Sequence, residues 1–169
     1  IGSTKEQAWF SVNGKRYRGF IELISNSKTM TMVNIVEIED YLRGVVPKEI
    51  GKITLDNIES AKAKAVAART YTFANLDRRA SKGFDLYASV QDQVYGGMDA
   101  EQPLIDQAIF ATGGVVALYQ GKFIQAFYHS TCGGATANVQ NTWSGGNKIS
   151  YLQTVGDNSN RSYNDGNSF

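Results

Sequence analysis

Apolar and polar residues alternate along the first forty positions of the chain, and the alternation gives way to an alanine-rich stretch with helical period. Trp9-Phe10-Ser11-Val12 and the run over 15–24, in which Tyr17, Ile21 and Leu23 share a face, flank Asn13-Gly14. Asn-Gly between two such runs predicts a hairpin. A turn over 25–28 leads to a third strand over 29–38, where Met30, Met32, Val33, Ile35 and Val36 partly break the alternation. These strands predict a small antiparallel sheet. Glu39-Asp40-Tyr41-Leu42-Arg43 predicts a single helical turn, which opens onto the apolar stretch Val45-Val46-Pro47-Lys48-Glu49-Ile50-Gly51.

The strongest helix signal comes immediately after it. Thr54 is a good cap, Ile53 and Ile58 stand at the positions of a hydrophobic staple, and Asp56 in the first turn complements the dipole. The helix is predicted to run to about residue 78. Ile58, Ala61, Ala65, Ala68 and Thr72 form a stripe of small residues at helical spacing, so this helix can lie close to its neighbours and is predicted to be central and buried. A second stripe carries Glu59, Lys62, Val66, Arg69 and Phe73. Its two cations lie seven residues apart, about 10 Å along the axis. Either both reach into one groove, or they form a solvated edge with Glu59 and Lys62 as an ordinary helix pair.

Downstream, 79–85 is a polar connection and 86–97 a loop entering a short strand, with Gln91, Asp92, Gln93 and Tyr95 prominent. Pro103 opens a second helix through Ala111, buried by Leu104, Ile105, Ala108 and Ile109 and stopped by Gly113-Gly114. Strands over 115–119 and 122–128 flank a Gln120-Gly121 turn. The stretch His129-Ser130-Thr131-Cys132-Gly133-Gly134-Ala135-Thr136 is too rich in glycine and hydroxyls for a plain strand. From Trp143 onward surface loops are predicted, with Tyr151-Leu152 as a last packed segment. The fold class is α+β: antiparallel hairpins and small sheets packed around one long central helix, in a single domain over 1–169.

Composition narrows the function classes. The 169 residues are 42% hydrophobic and 20% charged, as in a soluble globular protein with a real core. Seventeen basic against 16 acidic residues give a net charge of +1, so no electrostatic argument points to nucleic acid or an anionic membrane. Cys132 is the one cysteine, which excludes an internal disulfide and a cysteine-rich zinc cluster. No stretch approaches the roughly 20 apolar residues of a membrane span. The chain begins at Ile1 rather than Met, which suggests a mature form or an excised domain with any targeting or anchoring segment upstream.

His129 is the one histidine, so carboxylates would have to supply the other ligands of a metal site. Cys132 and Ser130 stand too close to His129 in sequence for a nucleophile–base pair assembled from separate elements. The glycine pairs at 133–134 and 145–146 match no phosphate loop, so no nucleotide cofactor is called for. What remains is Glu49. A carboxylate among Val45, Val46, Pro47 and Ile50 is expected to be partly desolvated, which would raise its pKa toward the range of a general acid. The alternative is a surface glutamate at a helix start, where Pro and Glu are both favoured. With two cations, several hydroxyls and amides, and aromatic faces such as Tyr95 and Trp143, the composition has the look of a carbohydrate site.

Five blocks, in order, closely resemble the SpoIID/LytB family, that of stage II sporulation protein D. They are the run from Val33-Asn34 through Tyr41-Leu42-Arg43-Gly44-Val45-Val46-Pro47-Lys48-Glu49, the helix Glu59-Ser60-Ala61-Lys62 through Arg69-Thr70-Tyr71, Gln93-Val94-Tyr95-Gly96-Gly97, Ala126-Phe127-Tyr128-His129 through Gly134, and Trp143 with Tyr151-Leu152. The resemblance implies a bacterial lytic transglycosylase acting on peptidoglycan glycan strands outside the cytoplasmic membrane, with no cofactor. It puts the catalytic glutamate on Glu49, substrate-binding cations on Lys62 and Arg69, and a substrate-binding segment on His129, Ser130, Thr131 and Gly134. Gln93 and Tyr95 match the family's Gln-Val-Tyr block. Where some members carry a zinc site just before that block, this chain has Tyr87, Gln91 and Asp92. Part of the family is named for enhancing a cell-wall amidase, so a glycan-holding helper is the second reading. A hydrolase in which Asp92 or Asp40 assists Glu49 is the third.

Overall fold

In a computed structural model that describes residues 9–25, 28–129, 134–142 and 148–156, the chain forms helices and three two-stranded antiparallel sheets, an α+β architecture. Asn13 and Gly14 take φ of 51° and 76°, the left-handed pair of a tight hairpin turn, and join β1 (Trp9–Val12) to β2 (Lys15–Arg18). The long second strand expected from the pattern is broken at Gly19, where a Cβ would overlap the carbonyl oxygen of Ile35. The chain therefore restarts as β3 (Phe20–Ser25), which pairs along its whole length with β4 (Met30–Ile35), Phe20 opposite Ile35 and Ser25 opposite Met30. One expected sheet becomes two hairpins for this steric reason.

The largest departure from the sequence pattern comes next. The single turn expected at 39–43 is the start of a full helix, α1 (Ile38–Glu49), which runs through Gly44 and Pro47. Glu39 and Asp40 lie in its first turn and Lys48 in its last, each complementing the helix dipole. Leu42, Val45 and Val46 are fully buried and form one face. Glu49 continues that face one turn on, at i+7 from Leu42. The carboxylate is thus at the end of a helix, not at the start of one.

Thr54 does cap the next element, a 3-10 turn over Leu55–Asn57 in which its N–H donates to Asn57 Oδ1 at 2.6 Å. The turn leads directly into α2 (Ile58–Ala74), which stops four residues short of the expected end. Ala61, Ala65 and Ala68 are fully buried and Thr72 nearly so. Their small side chains let α2 pack against α1 and against α3 (Pro103–Ala111), whose Ile105, Ala108 and Ile109 complete the core. The last hairpin of this unit is shorter than expected, β5 (Leu118–Tyr119) and β6 (Lys122–Phe123), with Phe123 stacked on Phe73 of α2.

An ionic cluster ties β2 to α1 and α3. Arg18 forms a bidentate pair with Glu101 at 2.6 and 2.8 Å, and Arg43 reaches Glu101, Asp106 and Asp40 at 2.6, 2.9 and 3.1 Å. All five side chains are largely buried.

The chain divides into two compact units that meet between Tyr128 and His129. In the second, Ala135 bridges Gly156, and α4 (Val139–Thr142) turns Val139 inward while its N–H donates to the Leu152 carbonyl at 3.2 Å. Tyr151-Leu152, expected to be packed, is half-buried there.

Candidate active site around Glu49

Glu49 is held from two sides. From behind, the buried face of α1 fixes the backbone. From the front, the N–H of Val94 donates to Glu49 Oε1 at 2.9 Å. The Val94 segment is itself clamped to α1: Gly96 N–H donates to the Gly44 carbonyl at 2.9 Å, and the Tyr95 ring lies so close to Gly44 that any Cβ there would overlap it. Glycine inside α1 is thus required by the approach of the segment that orients the carboxylate. Glu49 remains half-exposed, and among the described residues no cation forms a salt bridge with it.

Behind Val94, Gln93 is fully buried and uses all four of its hydrogen-bonding positions. Its Oε1 accepts from Tyr41 Oη at 3.2 Å and from Thr72 Oγ1 at 3.0 Å, whose single proton is shared with the Ala68 carbonyl at 3.0 Å; its Nε2 donates to the Ala68 carbonyl at 3.3 Å and to Tyr128 Oη at 3.1 Å. One amide therefore links α1, α2 and the segment after β6. Tyr128 accepts from Gln93 and keeps its own hydroxyl proton to give. Burial pushes Tyr128 up to about 12; the Gln93 bond acts against the shift and the charge of Glu49 adds to it. Burial also pushes Tyr41 upward.

Over the Tyr128 ring, 2.9 Å from its centroid, stands the ammonium of Lys64. Burial lowers Lys64 to about 8, with Glu49 pulling the other way. The charge of Glu49 thus bears on Lys64 as it does on Tyr128. Sequence pattern singles out neither Lys64 nor Tyr128 as a site residue. The signal for Lys64 is its phase: it lies three residues after Ala61 and four before Ala68, on the flank of the stripe that packs against α1.

The residues that pattern does single out are distributed differently. Arg69 is fully buried, with Nε and one terminal nitrogen on the Glu39 carboxylate at 2.9 and 2.7 Å and further bonds to the carbonyls of Val115 and Ile109. Lys62 pairs with Glu59 at 2.6 Å on the surface. Helical period puts the two on one side, but neither is a partner of Glu49. Gln93 and Tyr95 do belong to the surroundings of Glu49, as supports: Tyr95 packs on Tyr41 and Tyr17, and burial, then the charges of Glu101 and Asp40, push it up to about 12. His129 and Gly134, both exposed, lie in the second unit. Ser130, Thr131 and Trp143 lie outside the described residues. Asp92 is bound to Arg79 at 2.9 Å and to the Tyr87 N–H at 2.8 Å, and Asp40 to Arg43, so both alternative carboxylates are engaged elsewhere.

A cavity of about 310 Å³ lies between the β3–β4 hairpin and the end of α2, lined by Val33, Ile35, Phe73 and Phe84 among others. It shares Tyr41 and Thr72 with the Gln93 network, but Glu49 does not line it.

A helix that carries an anchored glutamate at its end, backed by a glutamine-centred polar network and a central small-residue helix, describes a small α+β domain. Comparison with known proteins places it: residues 26–119 match the SpoIID model, stage II sporulation protein, and the chain belongs to that family. It is 36% identical over 150 residues to an uncharacterized protein of Brachyspira hyodysenteriae, covering 88% of this chain and 40% of that one. It is 33% identical over 138 residues to stage II sporulation protein D of Bacillus amyloliquefaciens, covering 73% of this chain and 39% of the relative. Similarity to the amidase enhancer of Bacillus subtilis is 34% over 111 residues, 66% of this chain but 14% of that protein. The chain thus spans well under half the length of these relatives.

Proposed function

We propose that this chain is a peptidoglycan lytic transglycosylase with Glu49 as its single acid and base. The observation that supports it most is the setting of Glu49: a half-buried carboxylate fixed by the Val94 N–H, while Asp40 and Asp92 are each held in other ion pairs. Ordinary glycoside hydrolysis uses two carboxylates, whereas one suffices when the substrate supplies its own nucleophile. Protonated Glu49 gives its proton to the oxygen bridging N-acetylmuramic acid and N-acetylglucosamine, and the bond from that oxygen to the anomeric carbon breaks. The carboxylate then takes the proton of the muramic 6-hydroxyl as that oxygen attacks the anomeric carbon. An anhydro-muramyl end results, and the acid is regenerated. The work is done at the cell wall, outside the cytoplasmic membrane; among the described residues no helix is long and apolar enough to cross a membrane.

Purified protein incubated with peptidoglycan is expected to release anhydro-muramyl products by mass spectrometry. Glu49→Gln is expected to lower the rate at least about 100-fold, the scale of a general acid, with melting temperature unchanged. Wild-type rates in that variant would defeat the mechanism. The amidase enhancer among the relatives favours a second reading, a glycan-binding partner of a cell-wall amidase. Tight glycan binding, no anhydro product and a faster partner amidase would select it.

A further inference from the structure

We propose that Lys64 is the charge partner of Glu49: its ammonium, carried on the face of Tyr128, stabilises the carboxylate that forms when Glu49 gives up its proton. The inference rests on the proposed reaction and assigns it a residue that neither period nor family resemblance singles out. Three observations converge. Lys64 is half-buried, yet no carboxylate among the described residues forms a salt bridge with it. A half-buried ammonium without a salt bridge is costly, and is retained where its charge is used. Its Nζ is held over the Tyr128 ring, and Tyr128 is in turn fixed by Gln93, the neighbour of the Val94 that binds Glu49. The contacts form a chain, Glu49–Val94–Gln93–Tyr128–Lys64, which anchors the ammonium and the carboxylate in one framework, and the charge of Glu49 acts on both Tyr128 and Lys64.

The chemistry is set by where charge develops. As the proton leaves Glu49 for the bridging oxygen, negative charge builds on a carboxylate that already accepts one main-chain N–H. A preorganised positive charge nearby lowers the free energy of that state without rearrangement. Lys64 keeps its own protons throughout and acts as a positioning residue. The titratable groups that face it are Glu49 from α1 and Tyr128 from the segment after β6. Of the other elements packed on α2, α3 turns Asp106 to Arg43, β6 presents Phe123 to Phe73, the turn before α2 carries the exposed Asp56, and Asp92 is bound to Arg79 and Tyr71. Because burial lowers Lys64 to about 8, the cation is present at neutral pH and is lost just above it.

The test compares wild type, Lys64→Gln and Lys64→Arg across pH 6 to 10. Wild-type kcat is expected to fall as pH passes about 8. Lys64→Gln is expected to lose about 10- to 100-fold in kcat at pH 7 with KM little changed, and to lose the inflection near 8, keeping only the fall that deprotonation of the acid Glu49 imposes on every variant. Lys64→Arg, which stays charged, should recover most of the rate and move the limb upward by more than one unit. A Lys64→Gln enzyme with wild-type kcat and the same alkaline limb overturns the proposal. A second readout needs no turnover: NMR titration of the Lys64 side chain, in which Glu49→Gln should lower the midpoint by removing the charge that raises it. An unmoved midpoint overturns the pairing whatever the enzyme does. If wild type yields no anhydro ends while the midpoint moves, the reaction assigned to the site fails and the pairing stands.

Discussion

Arg69 has a guanidinium wholly removed from solvent, closed by the Glu39 carboxylate on one side and by the carbonyls of Val115 and Ile109 on the other. Breaking a fully buried pair costs about 3–5 kcal/mol, and because the Glu39 side chain left behind is 27% exposed the cost here falls to about 2–3 kcal/mol, shared with the carbonyls that lose their donor. Arg69→Met is therefore expected to lose about that much stability in urea unfolding, while activity per folded molecule stays near wild type. A variant with unchanged stability and no activity would return Arg69 to the substrate. Period alone correctly sets Lys62 and Arg69 on one side of α2, but what a side chain meets depends on which elements arrive there. Glu39 lies 30 positions away and Val115 lies 46 away. Lys64 is hidden for the converse reason: it stands off the stripe with two cations, on the flank of the alanine stripe that packs against α1. Glu49 itself is legible as a residue, since Leu42, Val45, Val46 and Glu49 keep helical spacing once α1 is known to be a helix.

At the scale of elements, α1 is the helix least legible in sequence. Gly44 and Pro47 both argue against a helix interior, and Val45-Val46 resemble a strand. Tertiary packing overrides them: the buried face of α1 against α2 outweighs the local penalties, and Gly44 is present because Tyr95 and Gly96 approach there. By contrast, the Asn13-Gly14 hairpin, the Thr54 cap and the helix from Pro103 to Ala111 carry local signals strong enough to read directly. Gly44→Ala puts these two effects in competition. Helix propensity favours the alanine by about 1 kcal/mol. Overlap with the Tyr95 ring costs about 1–3 kcal/mol and pushes the Val94 segment away from Glu49. We expect the clash to win, giving a lower melting temperature together with reduced kcat. A stabilised, fully active Gly44→Ala would show that the segment has room to move.

Over the whole molecule, the class of fold is legible, while the division into separate hairpins is not, because the break at Gly19 is enforced by a strand the chain reaches sixteen residues later. The distribution of buried tyrosines is equally hidden, and it sets how the molecule responds to alkali. Tyr41, Tyr71, Tyr95 and Tyr128 are all pushed up from the ordinary phenol value, chiefly by burial, Tyr95 and Tyr128 to about 12. The folded protein therefore keeps phenol protons that the unfolded chain gives up from about pH 10. Their contribution is complete below pH 10 and is lost as pH climbs toward 12. Lys64 has the opposite sign: its charge is penalised in the folded state below about 8, and that penalty fades as pH rises from about 8 to the ordinary lysine value near 10.4. Melting temperature measured by circular dichroism should thus rise slightly between pH 8 and 10 and then fall steeply. In Lys64→Met the rise should vanish while the fall remains, since the burial that raises the tyrosines is kept and only Tyr128 loses a contact, the ammonium on its ring. A curve in which the variant keeps the rise would mean that the alkaline gain comes from another group, and a flat curve above pH 10 would mean that the four phenols are not shielded from water as a set.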